Sequence, residues 1–258
     1  MDIVAHNREA WAREVAGGNK WTVPVEHPAV ERARKGEWSL VLTPTIPVPR
    51  EWYGGPVAGR EVLCLASGGG QQGPILAAAG ARVTVFDNCP EQLAKDRLVA
   101  EREGLEIALV QGDMKDLRAL PDASFDLIFH PVSNCFVDAV EPVWRECARV
   151  LRPGGRLLAG FCNPITYIFD LAAWDRGEEL RVRYRVPYAD VAQLPPEELE
   201  ARIRDKEVLE WGHSLDSQIG GQLAAGFSIR GFYEDLSGYG ELLDPYIKSF
   251  IATLAVKD

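Results

Sequence analysis

The stretch Ser67-Gly68-Gly69-Gly70 follows the apolar run Val62-Leu63-Cys64-Leu65-Ala66 and leads into Gln71-Gln72-Gly73. Glycines at a strand-to-helix junction let the backbone turn sharply and approach a ligand without side-chain obstruction. Gly68, Gly70 and Gly73 also satisfy the G-x-G-x-x-G dinucleotide spacing, and Asp87 stands nineteen residues after Gly68, where a ribose-binding acid belongs. A carboxylate accepts hydrogen bonds from vicinal ribose hydroxyls whichever nucleoside carries them; the competing reading makes Asp87 a cap for a helix starting near Pro90. Gly112-Asp113-Met114 follows another apolar run. There Asp113 could accept from an adenine amino group, with the Met114 backbone and side chain beside the ring, or Asp113 could simply cap a loop. His130 and Asn134 are the candidates for catalysis. An imidazole titrating near neutrality can act as a general base and an amide can orient an acceptor, whereas a strand-end histidine often only hydrogen-bonds to structure.

Holding these residues together requires a particular set of elements. Apolar, β-rich runs cover 61–66, 82–86, 107–111, 125–130 and 155–161, and helical patterns cover 72–79, 90–103 and 138–151. Strands alternating with helices imply a parallel sheet with helices on both faces. Such sheets bind ligands beyond the carboxyl ends of their strands, which is where each candidate residue falls. Residues 1–58, with Trp11, Trp21, Trp38, Trp52 and many prolines, read as an N-terminal helical or irregular lid. Within it, 2–15 and 29–35 have helical character. Residues 59–258 read as the main domain, with an insertion at about 163–211, a surface helix after Pro195-Pro196, and sheet-like runs at 227–233 and 250–256. A short helix containing Ile219 and Leu223 is expected after His213-Ser214.

The glycine loop, Asp87, Gly112-Asp113-Met114 and Arg149-Val150-Leu151-Arg152-Pro153-Gly154-Gly155-Arg156-Leu157-Leu158 occur in one order and spacing. In that series the chain resembles the class I S-adenosylmethionine-dependent methyltransferases, specifically the type 11 methyltransferase domain, closely over 60–162 and more loosely to the C-terminus. The resemblance implies an α/β, Rossmann-like fold: a seven-stranded, mostly parallel sheet with an antiparallel last strand, helices on both faces and an insertion after the fifth strand. It implies S-adenosylmethionine as cofactor, S-adenosylhomocysteine as product and in-line methyl transfer to a small-molecule substrate, a reaction in which positioning supplies much of the rate. By the same resemblance the backbone of 67–70 approaches the methionine part, Asp87 binds the ribose, and Asn88 flanks the adenine. Asp113 and Met114 define the adenine pocket, and His130-Pro131-Val132 passes beneath the sulfonium end. Ala66, Ser67, Gly68, Gly70, Gln72, Gly112 and His130 complete the expected cofactor-binding set with these residues.

The insertion, where this family builds its acceptor pocket, carries Tyr167, Phe169, Trp174 and Tyr184. Tyr167, together with Trp11, Trp21 and His213, forms the expected substrate-binding set. The alternatives are packing anchors for the aromatics and a helix cap at His213-Ser214. Two departures stand out: the family commonly has an acid at the position of Cys64 and glycine at that of Ala66.

Composition narrows the partners. The 258 residues hold 28 Lys+Arg against 38 Asp+Glu, a net charge of −10, which argues against broad nucleic-acid binding. The five cysteines (Cys64, Cys89, Cys135, Cys147, Cys162) lack zinc-knuckle spacing and read as reduced core thiols, with no metal called for. No apolar run approaches the roughly 20 residues of a membrane span, and the N-terminus lacks a signal-peptide core, so a cytoplasmic protein without membrane contact is expected. Nothing in the sequence sets an oligomeric state. Two rival readings remain: a nicotinamide-dependent oxidoreductase, supported by Gly68, Gly70 and Gly73 but not by the downstream series, and a non-catalytic S-adenosylmethionine-binding regulator, allowed because no unmistakable general base is present.

Overall fold

The strands and helices come from a computed structural model that describes residues 1–171, 173, 176–238, 240 and 243–258; Trp174 lies outside the described residues. The strands are β1 (Glu61–Leu65), β2 (Arg82–Asp87), β3 (Ile107–Gln111), β4 (Phe125–His130), β5 (Leu151–Cys162), β6 (Tyr188–Ala189), β7 (Trp211–Gly212), β8 (Phe227–Asp235) and β9 (Phe250–Lys257). The helices are α1 (Ile3–Gly17), α2 (His27–Arg34), α3 (Gln72–Ala78), α4 (Pro90–Glu103), α5 (Glu141–Val150), α6 (Asp190–Gln193), α7 (Pro196–Arg204) and α8 (Gly221–Ala224).

One seven-stranded sheet runs in the order β3-β2-β1-β4-β5-β9-β8, and β6 pairs with β7 in a separate ribbon. Strands β1 to β5 are parallel, while β9 lies antiparallel between β5 and β8. Because alternate strand residues point to opposite faces, β1 feeds two cores. Val62 and Cys64 pack with Leu76 of α3 and Leu93 of α4, whereas Leu63 and Leu65 pack with Val143 and Trp144 of α5. The run of four fully buried residues in β1 is the pattern of a strand covered on both faces.

Local signals set the helix ends. Asp2 caps α1 by accepting from the Ala5 amide at 3.0 Å, and left-handed Gly18 closes it. Helix α4 begins with Pro90, where a missing N–H costs nothing, and ends at left-handed Gly104. Helix α5 starts at Glu141, three residues later than the pattern predicts, with Pro142 in its first turn. Strand β5 starts earlier than expected, because Leu151 pairs with Phe125 and the register then jumps so that Arg156 meets Leu127. Residues 152–155 are the bulge between these pairings. The helix expected around Ile219 opens with a wide i→i+5 turn over Asp216–Gly220 before α8.

The N-terminal 58 residues are used in two ways. Val30, Ala33, Leu40, Leu42, Val48, Trp52, Tyr53 and Val57 are buried, and most of them join the core on the α3–α4 face. Residues 40–46, whose Leu40 and Leu42 belong to that core, also cross the carboxyl ends of the central strands. Leu42 O accepts from the Val132 amide at 3.2 Å, and it would lie 2.3 Å from a Cβ added to Gly160, so glycine is required in β5 at this crossing. No helix among the described residues is long and apolar enough to cross a membrane.

Candidate active site

Strand order reverses between β1 and β4, and at such a switch point the loops leaving adjacent strands diverge and open a crevice. A cavity of ≈ 240 Å³ occupies this place. Ala66, Ser67, Gly68 and Gln72 line it from the first loop, Asp87 and Asn88 from the end of β2, and Gly112, Asp113 and Met114 from the end of β3. Gly70 and His130, expected to bind the cofactor, are not part of this wall.

The first loop is shaped by carboxylates. Gly68 N donates to Asp87 Oδ2 at 2.9 Å, and the other Asp87 oxygen accepts from Cys89 N at 2.9 Å. Burial raises the Asp87 pKa, while these amide bonds oppose the rise. Each carboxylate oxygen has further acceptor capacity, and the group faces the cavity, so it is equipped to bind a diol. A Cβ on Gly68 would lie 2.7 Å from Gln92 Cβ and 3.0 Å from Asp87 Oδ2, so only glycine lets the backbone close on the acid. Ala66, where the family commonly has glycine, adopts φ 46, the left-handed basin that an L-residue reaches at a cost. Cys64 is fully buried in the core and is not on the cavity wall.

Asp113 keeps its carboxylate at the cavity while Oδ1 accepts from Lys115 N at 2.9 Å. Asn88 is fixed by donating to Val4 O of α1 at 2.9 Å. That helix presents Val4, Asn7, Arg8 and Trp11 to the cavity, a spacing of one helical face, and Trp21 joins from the turn that follows.

His130 and Asn134 lie behind the wall, both fully buried. The ring nitrogens of His130 are committed, Nδ1 to Leu65 O at 2.9 Å and Nε2 to Asn134 Oδ1 at 2.7 Å. Asn134 Nδ2 donates to Gln218 Oε1 at 3.0 Å. Burial lowers the His130 pKa and favours the neutral ring. His213 is buried as well, its Nε2 donating to Val137 O at 2.9 Å, and Ser214 caps the following turn by accepting from Ser217 N. Tyr167 packs over Gly212, stacks on Tyr188 and donates to Glu210 at 2.8 Å. Neither His213 nor Tyr167 lines the cavity.

Sequence reasoning missed much of the remaining wall: Val41, Leu42, Thr43 and Pro44, then Phe136 and Phe250. Pro131 and Val132 also line the cavity, and Phe136 packs against Trp11 of α1, the helix that brings Arg8 to the wall. Asp235 anchors it, accepting from Thr43 Oγ1 (2.8 Å), Thr45 N (2.8 Å), Ile46 N (3.0 Å) and the Thr45 hydroxyl. Gln92 was also missed. It lines the cavity, and its Oε1 is buried without a hydrogen-bond partner, close to Gly69 of the glycine loop.

These residues fit a nucleoside-bearing cofactor: a buried carboxylate with acceptor capacity left over (Asp87), a second carboxylate beside an apolar side chain (Asp113 and Met114), and a glycine turn with no side chain in the way. The family profile described as a methyltransferase domain matches residues 63–159. The chain is 51% identical over 255 residues to YbaJ of Bacillus subtilis, named an uncharacterized methyltransferase, covering 99% of this chain and 98% of that one. It is 30% identical over 152 residues to a ubiquinone biosynthesis O-methyltransferase of Xanthomonas oryzae, covering 59% of this chain and 64% of that one. In fold it is similar to an S-adenosylmethionine-dependent methyltransferase from Mesorhizobium loti, with a TM-score of 0.60, 20% identity and coverage of 79% and 93% of the two chains. The chain belongs to the S-adenosylmethionine-dependent methyltransferases.

Proposed function

We propose that this cavity binds S-adenosylmethionine along the ends of β1, β2 and β3 and a small, largely apolar methyl acceptor against residues 41–44, Pro131-Val132 and Phe250. The observation that carries this reading is that one cavity gathers Asp87, Asp113 and Gln92 at the ends of β2 and β3 and the start of α4, together with the apolar residues of 41–44, Pro131, Val132 and Phe250, with Arg8 of α1 the cation on its wall. When bound, S-adenosylmethionine would supply an electrophilic methyl carbon: the acceptor's lone pair bonds to it in line as the carbon–sulfur bond breaks and S-adenosylhomocysteine leaves as the neutral thioether. Asp87 holds the ribose diol, Asp113 and Met114 the adenine, and the loop at Ala66–Gly68 lies along the methionine part.

The protein's contribution is to align and desolvate. Trp11 and Trp21 close over the cavity from the N-terminal segment, and the apolar wall excludes water around the acceptor. His130 and Asn134 act as supports beneath Pro131–Ser133, since both ring nitrogens are engaged within the protein. His213 and Tyr167 anchor the segments around them to the domain. The similarity to YbaJ runs over nearly the whole chain, so the methyltransferase family is not confined to the cofactor half.

Calorimetry with S-adenosylmethionine, S-adenosylhomocysteine and NAD tests the proposal. Saturable binding of both sulfur nucleosides, abolished or weakened by at least about tenfold in Asp87→Ala, is expected from losing a charged acceptor. Tight NAD binding without response to either sulfur nucleoside would replace this reading by a dehydrogenase. Methyl transfer to members of a small-molecule library then distinguishes an enzyme from a cofactor-binding regulator.

A further inference from the structure

Asp96 is a fully buried carboxylate on α4 that faces the back of the glycine loop. Its Oδ2 accepts from Gly69 N at 3.0 Å and Gly70 N at 3.1 Å, and Oδ1 has no partner. No cation pairs with it among the described residues, and the acid near it is Asp87, of the same sign. Burying a carboxylate this way is costly, and a small apolar side chain would fill the core without that penalty. What the acid provides is geometry: it holds two consecutive loop amides whose residues sit at φ 118 and 73.

Cys64 lies in the same core, on β1 beneath the loop, and its thiol feels the Asp96 charge.

We propose that Asp96, reaching from α4, is the positioning residue of the cofactor loop. This rests on the reading of 66–70 as the cofactor loop. Asp96 shapes the turn from behind and does not itself line the cavity, so it acts through Gly69 and Gly70. Burial, reinforced by Asp87 and opposed by the two amides, pushes its pKa up to about 7. The other titratable groups facing it are Asp87 on β2, also raised by burial, and the Cys64 thiol, pushed well above its ordinary value. Charged acceptors bind amides roughly twice as strongly as neutral ones, so the loop is held more firmly once Asp96 ionises.

Calorimetric titration with S-adenosylhomocysteine across pH, on the wild type and on Asp96→Asn, tests the proposal. Wild-type affinity should fall several-fold as pH drops through about 7. The Asn variant should bind about tenfold more weakly at alkaline pH, as expected for a lost charged hydrogen bond, and show a flattened profile. Asp96→Asn with wild-type affinity and an unchanged profile overturns the proposal. A measurement on the wild type needs no variant to fold. The amide resonances of Gly69 and Gly70 should titrate together near pH 7, with Gly68, held by Asp87, as the internal comparison. Gly69 and Gly70 resonances that share no titration at any pH also overturn it. Wild-type protein that binds no sulfur nucleoside at any pH removes the cofactor reading itself, and the loss of the proposal is then distinguishable from failure of Asp96 alone.

Discussion

Ala66 shows how one methyl group is tolerated at a tight turn. Its amide donates to Phe86 O at 2.7 Å, which keeps the backbone in the left-handed basin at φ 46. An L-residue there costs roughly 1–2 kcal/mol relative to the right-handed region, while glycine costs extra chain entropy of roughly 0.5–1 kcal/mol. Ala66→Gly should therefore stabilise the fold by about 0.5 kcal/mol, the difference between those terms, and leave the loop's course unchanged. Urea unfolding checks the sign, and a destabilisation of more than about 1 kcal/mol would mean that the Ala66 methyl packs usefully. Gln92 and Asp96 were illegible in the sequence for a related reason. They lie one helical turn apart on α4, and only the packing of α4 beneath the loop shows that their polar ends meet backbone amides or cavity rather than water.

The regular elements of the sheet were legible as short apolar runs separated by helical patterns, the signature of strands buried on both faces. The runs at 107–111 and 125–130 match β3 and β4 as observed, and the helical pattern over 90–103 matches α4. The acceptor-side wall was not legible, because residues 40–46 have no period and are fixed by contacts far along the chain. Thr45 meets Asp235 across 190 positions. Burial tends to raise the Asp235 pKa, but the bonds from Thr45, Thr43 and Ile46 together outweigh it and hold the carboxyl below its ordinary value. Asp235→Ala removes all of these acceptors at once and should cost about 2–4 kcal/mol, the range for breaking a buried hydrogen-bond network. Amide exchange at Thr45 and Ile46 should accelerate while affinity for S-adenosylhomocysteine changes by no more than about twofold, because the loops holding the nucleoside do not touch Asp235. Loss of nucleoside binding in this variant would instead assign 40–46 to the cofactor side.

At the scale of the whole molecule, the two cores on either side of the sheet enclose ionisable groups whose protons are linked to folding. Burial holds His130 and His213 below the ordinary imidazole value of 6.5. As pH falls through that value the unfolded chain takes up protons first, so these histidines make stability fall on acidification. Asp96 acts in the opposite sense. The folded protein keeps its proton up to about pH 7, whereas the unfolded chain releases it near 3.8, so between these values folding takes up a proton and acidification stabilises. The wild type should therefore lose less stability between neutral pH and about pH 5 than its buried histidines alone dictate. Asp96→Asn removes the compensating group, and its stability should fall more steeply over that interval. The slopes should differ by at most about 1.4 kcal/mol per pH unit, the limit for one proton. Urea denaturation of both proteins at several pH values measures the difference directly. Equal slopes would show that Asp96 ionises at its ordinary value despite its burial, and the cost assigned to placing a carboxylate beneath the glycine loop would disappear with it.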